Sequence, residues 1–87
     1  MANRAAYVYI MANHARITYV GVTTYLERRV WEHKTFAHDG FTKQHRLTKL
    51  VYIAEFDRID DAIAWEKSLK VKTRAKKMGL IEAANPR

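Results

Sequence analysis

The chain predicts an α+β domain, a small three-stranded antiparallel sheet flanked by helices, and three observations lead there. Residues 7–11, 17–22 and 49–56 alternate along the chain with period two and are rich in aromatic and β-branched side chains, the signature of half-buried strands. Two stretches between and after them carry the helical period instead. Eighty-seven residues make one domain, read as spanning 1–87, with roughly 60–65% of the unfolded surface available for burial in one modest core. The predicted order is ββαβα with a short extra C-terminal helix.

Taken in order, Tyr7, Tyr9 and Met11 alternate with Val8 and Ile10, and Ile17, Tyr19 and Gly21 alternate with Thr18, Val20 and Val22. The short polar stretch Asn13-His14-Ala15-Arg16 joins these runs as an antiparallel hairpin. Ala5 to Ala12 follows Arg4 and superficially resembles a signal h-region, but its alternating tyrosines and the lack of an A-x-A site read as a strand. Thr24 and Glu27 have the spacing of a capping box, opening a helix to about Lys34. Its inward stripe is Leu26, Arg29, Val30 and His33, while Arg28 and Glu32 form an exposed pair four residues apart. Periodicity fails from Thr35 to Thr48, and Asp39-Gly40 marks a turn. After the strand at 49–56, Asp57, Asp60 and Asp61 crowd the start of a helix reaching about Lys72, where the dipole favours acids. Arg74 to Ala84 forms the last helix.

Charge narrows the class. Sixteen Lys and Arg against nine acids give +7, and the isoelectric point is near 9.9. Six of the eleven residues from Lys67 to Lys77 are basic: Lys67, Lys70, Lys72, Arg74, Lys76 and Lys77. Clustering of this kind fits a polyanionic partner, with binding that weakens as salt rises. Absence of cysteine removes disulfides and thiolate metal sites and is compatible with a reducing, cytoplasmic setting. No apolar run approaches a membrane span. His14, His38 and His45 fall in loops without metal-ligand spacing.

One acid breaks the pattern. Glu66 falls among Ala62, Ile63 and Leu69, in what should be an apolar stripe, and a carboxylate there is costly unless a cation receives it. Phenols, a guanidinium and one carboxylate drawn from separate elements are groups that a metal-assisted phosphodiesterase requires. Each also has a plainer use. Paired tyrosines commonly serve cross-strand packing, Arg29 can lie along the core with its head in water, and Glu66 can be a buried structural partner of Arg29. Trp31 and Trp65 read as packing residues rather than stacking platforms. His33 reads two ways, facing the site or lying on the helix surface where the C-terminal dipole favours it.

In this order the segments resemble a GIY-YIG nuclease domain, and more narrowly the small stand-alone branch similar to the N-terminal domain of excinuclease C. Tyr7-Val8-Tyr9 stands for the first triplet, with Tyr7 departing from the glycine of the family name. Tyr19-Val20-Gly21 stands for the second, continuing through Val22-Thr23-Thr24-Tyr25-Leu26-Glu27-Arg28-Arg29 into the helix. Phe41-Thr42-Lys43, Leu50-Val51-Tyr52 and Ala62-Ile63-Ala64-Trp65-Glu66-Lys67 match later landmarks, so the resemblance covers nearly the whole chain. It implies catalytic roles for Tyr9, Tyr19, Arg29 and Glu66, and it places the family's last landmark, an asparagine, on Asn85.

The function expected from these residues is metal-dependent endonucleolytic cleavage of nucleic acid, with DNA as the expected polymer and RNA the alternative. Glu66 would hold one Mg²⁺ or Mn²⁺, with phosphate completing the coordination. Arg29 would fork onto a phosphate oxygen, Tyr9 would act on the attacking water as base or positioning group, and Tyr19 would support it. Lys43 joins the basic cluster as a nucleic-acid contact, and His33 and Asn85 are supporting candidates. So small a surface suggests a protein partner that supplies specificity. The alternatives are a catalytically weak binding module of the same fold and a structural protein whose Arg–Glu pair is scaffolding.

Overall fold

The structure is a computed structural model that describes residues 6–35 and 44–85. Three strands, β1 (Ala6–Ala12), β2 (Thr18–Thr23) and β3 (Lys49–Phe56), alternate with three helices, α1 (Leu26–Lys34), α2 (Ile59–Lys70) and α3 (Arg74–Ala84), as ββαβαα. The strands form one sheet in the order β2-β1-β3, with β1 antiparallel to both neighbours. The α+β class and its element order are as the sequence predicts. Phe41, Thr42 and the expected contact Lys43 lie outside the described residues.

Central position makes β1 buried on both sides, and its period-two alternation sorts two apolar layers. Ala6, Val8 and Ile10 enter one cluster with Val20, Ala62 and Leu69, against which Trp65, Leu80 and Ile81 of α2 and α3 pack. Tyr9 and Met11 point the other way, joining Leu47 with Ile17, Tyr19, Leu26 and Leu50. Fully burying a side chain of this size contributes roughly 1.5–3 kcal/mol, so the register of β1 is strongly specified: a one-residue slip would exchange the layers.

Local chemistry fixes the joints. Asn13 holds the hairpin, its Oδ1 accepting the Ile17 N–H at 3.0 Å while its Nδ2 donates to the His45 carbonyl at 2.7 Å. Arg16 takes the left-handed conformation there, at φ 64°. The expected Thr24–Glu27 capping box does not form. Tyr25 is the N-cap residue of α1 without a side-chain cap bond, and the preceding Thr23 hydroxyl accepts the Tyr25 N–H at 3.0 Å instead. The helix therefore begins one residue later than a Thr24 cap would start it. Helix α2 stops at Lys70, short of the expected Lys72, because the Lys72 N–H turns back to the Leu69 carbonyl at 3.2 Å. Thr73 then caps α3, accepting the Lys76 N–H at 3.3 Å.

The pairing of β1 with β3 shifts register between Ile10 and Met11, which face Tyr52 and Leu50 and leave Val51 without an opposite residue. A bulge leaves a strand carbonyl in need of a partner. Asn85 supplies it: its Nδ2 donates to the Val51 carbonyl at 2.6 Å and to the Ile81 carbonyl at 2.8 Å.

Candidate active site

The β1–β2 register sets Tyr9 opposite Gly21 and Met11 opposite Tyr19, so the two tyrosines lie diagonally on the same face. Their ring centroids are 6.3 Å apart. His33 of α1 completes the group, its ring 5.6 Å from Tyr9 and 5.5 Å from Tyr19. The Tyr9 hydroxyl and His33 Nε2 are hydrogen-bonded at 3.0 Å. His33 is 2% exposed, which decides between its two sequence readings: it faces the site.

Tyr9 packs directly over Gly21. A Cβ at that position would stand 2.5 Å from the Tyr9 hydroxyl oxygen and 2.6 Å from its Cζ. The glycine of the second triplet is thus the space into which the first triplet's last tyrosine fits, a close-approach requirement rather than a turn. Tyr9 is fully buried, and that burial, followed by the charge of Tyr19, pushes its pKa well above the ordinary phenol value, while Arg29 pulls it down and Glu32 pushes it up. Tyr19 is only half-buried. Tyr19 is therefore the phenol nearer solvent, and Tyr9 stands behind it.

The helix faces differ as the α1 stripe predicts: the Arg28 side chain is 70% exposed and that of Arg29 is 36% exposed. Glu32 meets both guanidinium groups, at 3.5 Å from each Nε. A groove of about 320 Å³ opens beside them, lined by Thr23, Thr24, Tyr25, Arg28, Arg29 and Glu32.

Glu66 is buried, with Ala62 and Leu69 on the same face of α2, whereas Ile63 is 36% exposed and sits at the edge of that stripe. Its cationic partner is not Arg29 but Lys70, one turn on, with Nζ 2.5 Å from Oε2. The scaffolding alternative of a buried Arg29–Glu66 bridge is corrected by that pairing. Lys70 feels the charge of Tyr19 as well as of Glu66, and its pKa is raised chiefly by its hydrogen bond to Glu66.

The other basic residues separate by environment. Arg74 donates to the Arg16 carbonyl at 2.6 Å, tying α3 to the hairpin. Lys72 places its ammonium 5.3 Å from the centroid of Trp65. Lys67 and Lys76 are exposed and Lys77 half-buried. Trp65 packs as expected and donates its indole N–H to the Tyr52 hydroxyl at 3.2 Å; Trp31, expected to pack, is 60% exposed. Asn85 spends its side-chain amide on the β3 bulge and on its own helix, with no hydrogen bond to the tyrosines, Arg29 or Glu66 among the described residues.

Three features escaped the sequence reading. The Glu66–Lys70 pair was visible as an ordinary i,i+4 spacing. The reach of Glu32 to Arg29 was hidden behind its more obvious pairing with Arg28. The packing of Tyr9 on Gly21 had no local signal, because it depends on register.

A hard divalent ion suits what is present in kind, since Glu66 offers an anionic oxygen in a place where a cation already stands. Among the described residues no group of three or more His, Asp or Glu is disposed to hold a metal. An ion here would therefore draw most of its coordination from water and phosphate, as Mg²⁺ commonly does.

Phenols on β1 and β2, a guanidinium on α1 and a carboxylate on α2 thus stand on the elements where the sequence resemblance expects them. Comparison with known proteins agrees: residues 5–79 match the model of the GIY-YIG catalytic domain. The chain belongs to the GIY-YIG family. It is similar to the UPF0213 protein of Syntrophus aciditrophicus, at 32% identity over 87% of this chain and 88% of the relative. The UPF0213 protein of Haloquadratum walsbyi is 37% identical over 87% and 85% of the two chains. The solution NMR structure of a UPF0213 protein from Bacillus halodurans superposes with a TM-score of 0.61 at 29% identity, covering 93% of this chain and 87% of that one. No helix among the described residues is long and apolar enough to cross a membrane.

Proposed function

We propose that this domain is a metal-dependent endonuclease that hydrolyses phosphodiester bonds of DNA. The observation that carries the reading is convergence: Tyr9, Tyr19 and His33 form one ring cluster, Arg29 lies one turn before His33 on α1 and its charge acts on Tyr9, and the buried Glu66 faces the sheet from α2, paired with Lys70. Four elements contribute to it.

In this reading Arg29 turns its fork to a non-bridging phosphate oxygen, exchanging the 3.5 Å contact with Glu32 for a charge-assisted hydrogen bond. Tyr19, the half-buried phenol, orients the attacking water. Tyr9 is a positioning residue: buried and held protonated at neutral pH, it fixes the Tyr19 and His33 rings by packing and by its bond to Nε2. Glu66 would hold the divalent ion, Mg²⁺ or Mn²⁺, which supplies positive charge to the phosphate and lowers the pKa of bound water. Lys67, Lys72, Lys76 and Lys77 supply the salt-sensitive attraction for the phosphate backbone. Lys43 would add to it, and a protein partner would supply specificity beyond that of so small a surface. Asn85 contributes by anchoring the C-terminus of α3 to β3.

Glu66→Gln tests this reading against a binding module of the same fold. The variant keeps the shape of the side chain and leaves behind a lysine whose own side chain is 53% exposed, so the loss of stability should stay within about 1 kcal/mol. Wild type should cut at least one of duplex, flap and single-stranded DNA in Mg²⁺ or Mn²⁺, and the variant should bind DNA but not cut. Cleavage by the variant at the parental rate, or no metal-dependent cleavage by wild type on any substrate, RNA included, would refute it.

A further inference from the structure

A strongly engaged lysine of the basic cluster stands where the proposed metal ion would go. Lys70 Nζ is 2.5 Å from Glu66 Oε2, and the exposures of the two side chains are unequal, 53% for the lysine and 12% for the acid. An ordinary i,i+4 helix pair is exposed at both ends and contributes a few tenths of a kcal/mol. Here the acid is buried with Ala62 and Leu69, and the ammonium approaches it from the more exposed side. Tyr19 is also among the groups whose charge acts on Lys70, and the lysine sits one turn beyond Glu66 on α2.

We infer that Lys70 is a positioning residue that occupies the cation site at Glu66 until nucleic acid arrives, coupling metal binding to substrate binding. The inference rests on the reading of Glu66 as a metal ligand. A divalent ion and the ammonium compete for the same carboxylate, so metal binding must break the pair. The lysine head rides on a flexible four-carbon stem with three donors, and a phosphate near Tyr19 gives it a new partner. Each ligand then removes part of the cost of binding the other. Coupling of this kind is reciprocal and positive.

Mn²⁺ binding at Glu66 can be followed in the full chain by paramagnetic broadening of nearby backbone amide resonances. It would be titrated alone and with a cleavage-resistant phosphorothioate DNA oligonucleotide, at matched free Mn²⁺. Without the oligonucleotide, Lys70→Met should bind Mn²⁺ about twofold to fivefold more tightly than wild type, the range set by a partly exposed ion pair. The oligonucleotide, whose phosphate also ligates the ion, should tighten both proteins, and should tighten wild type more than Lys70→Met by a similar factor. Lys70→Gln should repeat both results, which guards against an effect of the methionine itself. Equal Mn²⁺ affinity in wild type and both variants, or equal tightening by the oligonucleotide, overturns the coupling and leaves Glu66 as a ligand. Broadening that is no weaker in Glu66→Gln than in wild type overturns the ligand assignment itself.

Discussion

A methyl group at Gly21 tests how the Tyr9 phenol is held. The new Cβ would stand 2.5 Å from the hydroxyl oxygen, 2.6 Å from Cζ and 2.8 Å from Cε1 of Tyr9, about 1 Å inside a normal non-bonded separation. Tyr9 has little room to retreat, being fully buried and bonded to His33. Overpacking of a filled core costs about 1–3 kcal/mol, and loss of the Tyr9–His33 bond adds about 1 kcal/mol. Against this, alanine is better than glycine in a strand by about 0.5–1 kcal/mol. Gly21→Ala should therefore destabilise by about 2 kcal/mol, a drop of roughly 10 °C in Tm for a domain of this size. Urea unfolding of a double-mutant cycle with Tyr9→Leu provides the assay. Removing the ring end should relieve the clash, so Gly21→Ala should cost at least about 1 kcal/mol less in the Tyr9→Leu background. An equal cost in both backgrounds would show that the glycine is not there for Tyr9.

Two further outcomes follow from the site. Arg29→Ala should lower cleavage by about 10²–10³, the usual loss of one preorganised transition-state donor, whereas the more exposed Arg28 should tolerate alanine with little change in rate; equal losses would mean that the phosphate lies elsewhere on α1. Alkaline unfolding should steepen above the ordinary phenol value of about 10, because the unfolded Tyr9 ionises there and the buried one does not. Stability from this group is complete below that pH and falls by about 1.4 kcal/mol per pH unit above it. Tyr9→Phe should flatten the decline without abolishing it, since Lys70, whose pKa is also raised, loses its stabilising contribution in the same direction as pH rises. A stability–pH curve unchanged by Tyr9→Phe would remove the phenol as its cause.

Elements proved legible where one residue type repeats with a fixed period. The limits of β3 and α3 coincide with the expected 49–56 and 74–84, since alternation marks the strand and a polar N-cap, Thr73, marks the helix start. The α1 stripe was readable for the same reason, down to the different exposure of two adjacent arginines. What stayed hidden were the quantities that depend on register and on competition between near-equal local partners. Thr24 has capping-box spacing to Glu27, yet Tyr25 takes the N-cap position and its N–H goes to the Thr23 hydroxyl. Arg29 and Lys70 were both available cations for Glu66, and only packing shows which one stands beside it. Tyr9 and Tyr19 have the same side chain in similar strands; central and edge positions give one a buried, raised pKa and leave the other half-exposed.

That last difference explains how so small a domain accommodates both a core and a polar cluster. Both faces of β1 are covered, so its alternate residues do not divide into inside and outside; they divide into an aliphatic layer and an aromatic one. The aliphatic layer, Ala6, Val8 and Ile10, anchors α2, the helix that carries Glu66. The aromatic layer, Tyr9 and Met11, faces Leu26 of α1, and Tyr9 bonds His33 on the same helix that carries Arg29. One strand thus sets the positions of both charged groups relative to each other, and neither helix needs to touch the other to do so. The irregularity at Val51 lies on β3, away from the β1–β2 pairing that carries both tyrosines. Shifts that alter the pairing of β1 with β2 would disturb the tyrosine diagonal first, which makes the Tyr9–Gly21 contact the most sensitive point of the arrangement.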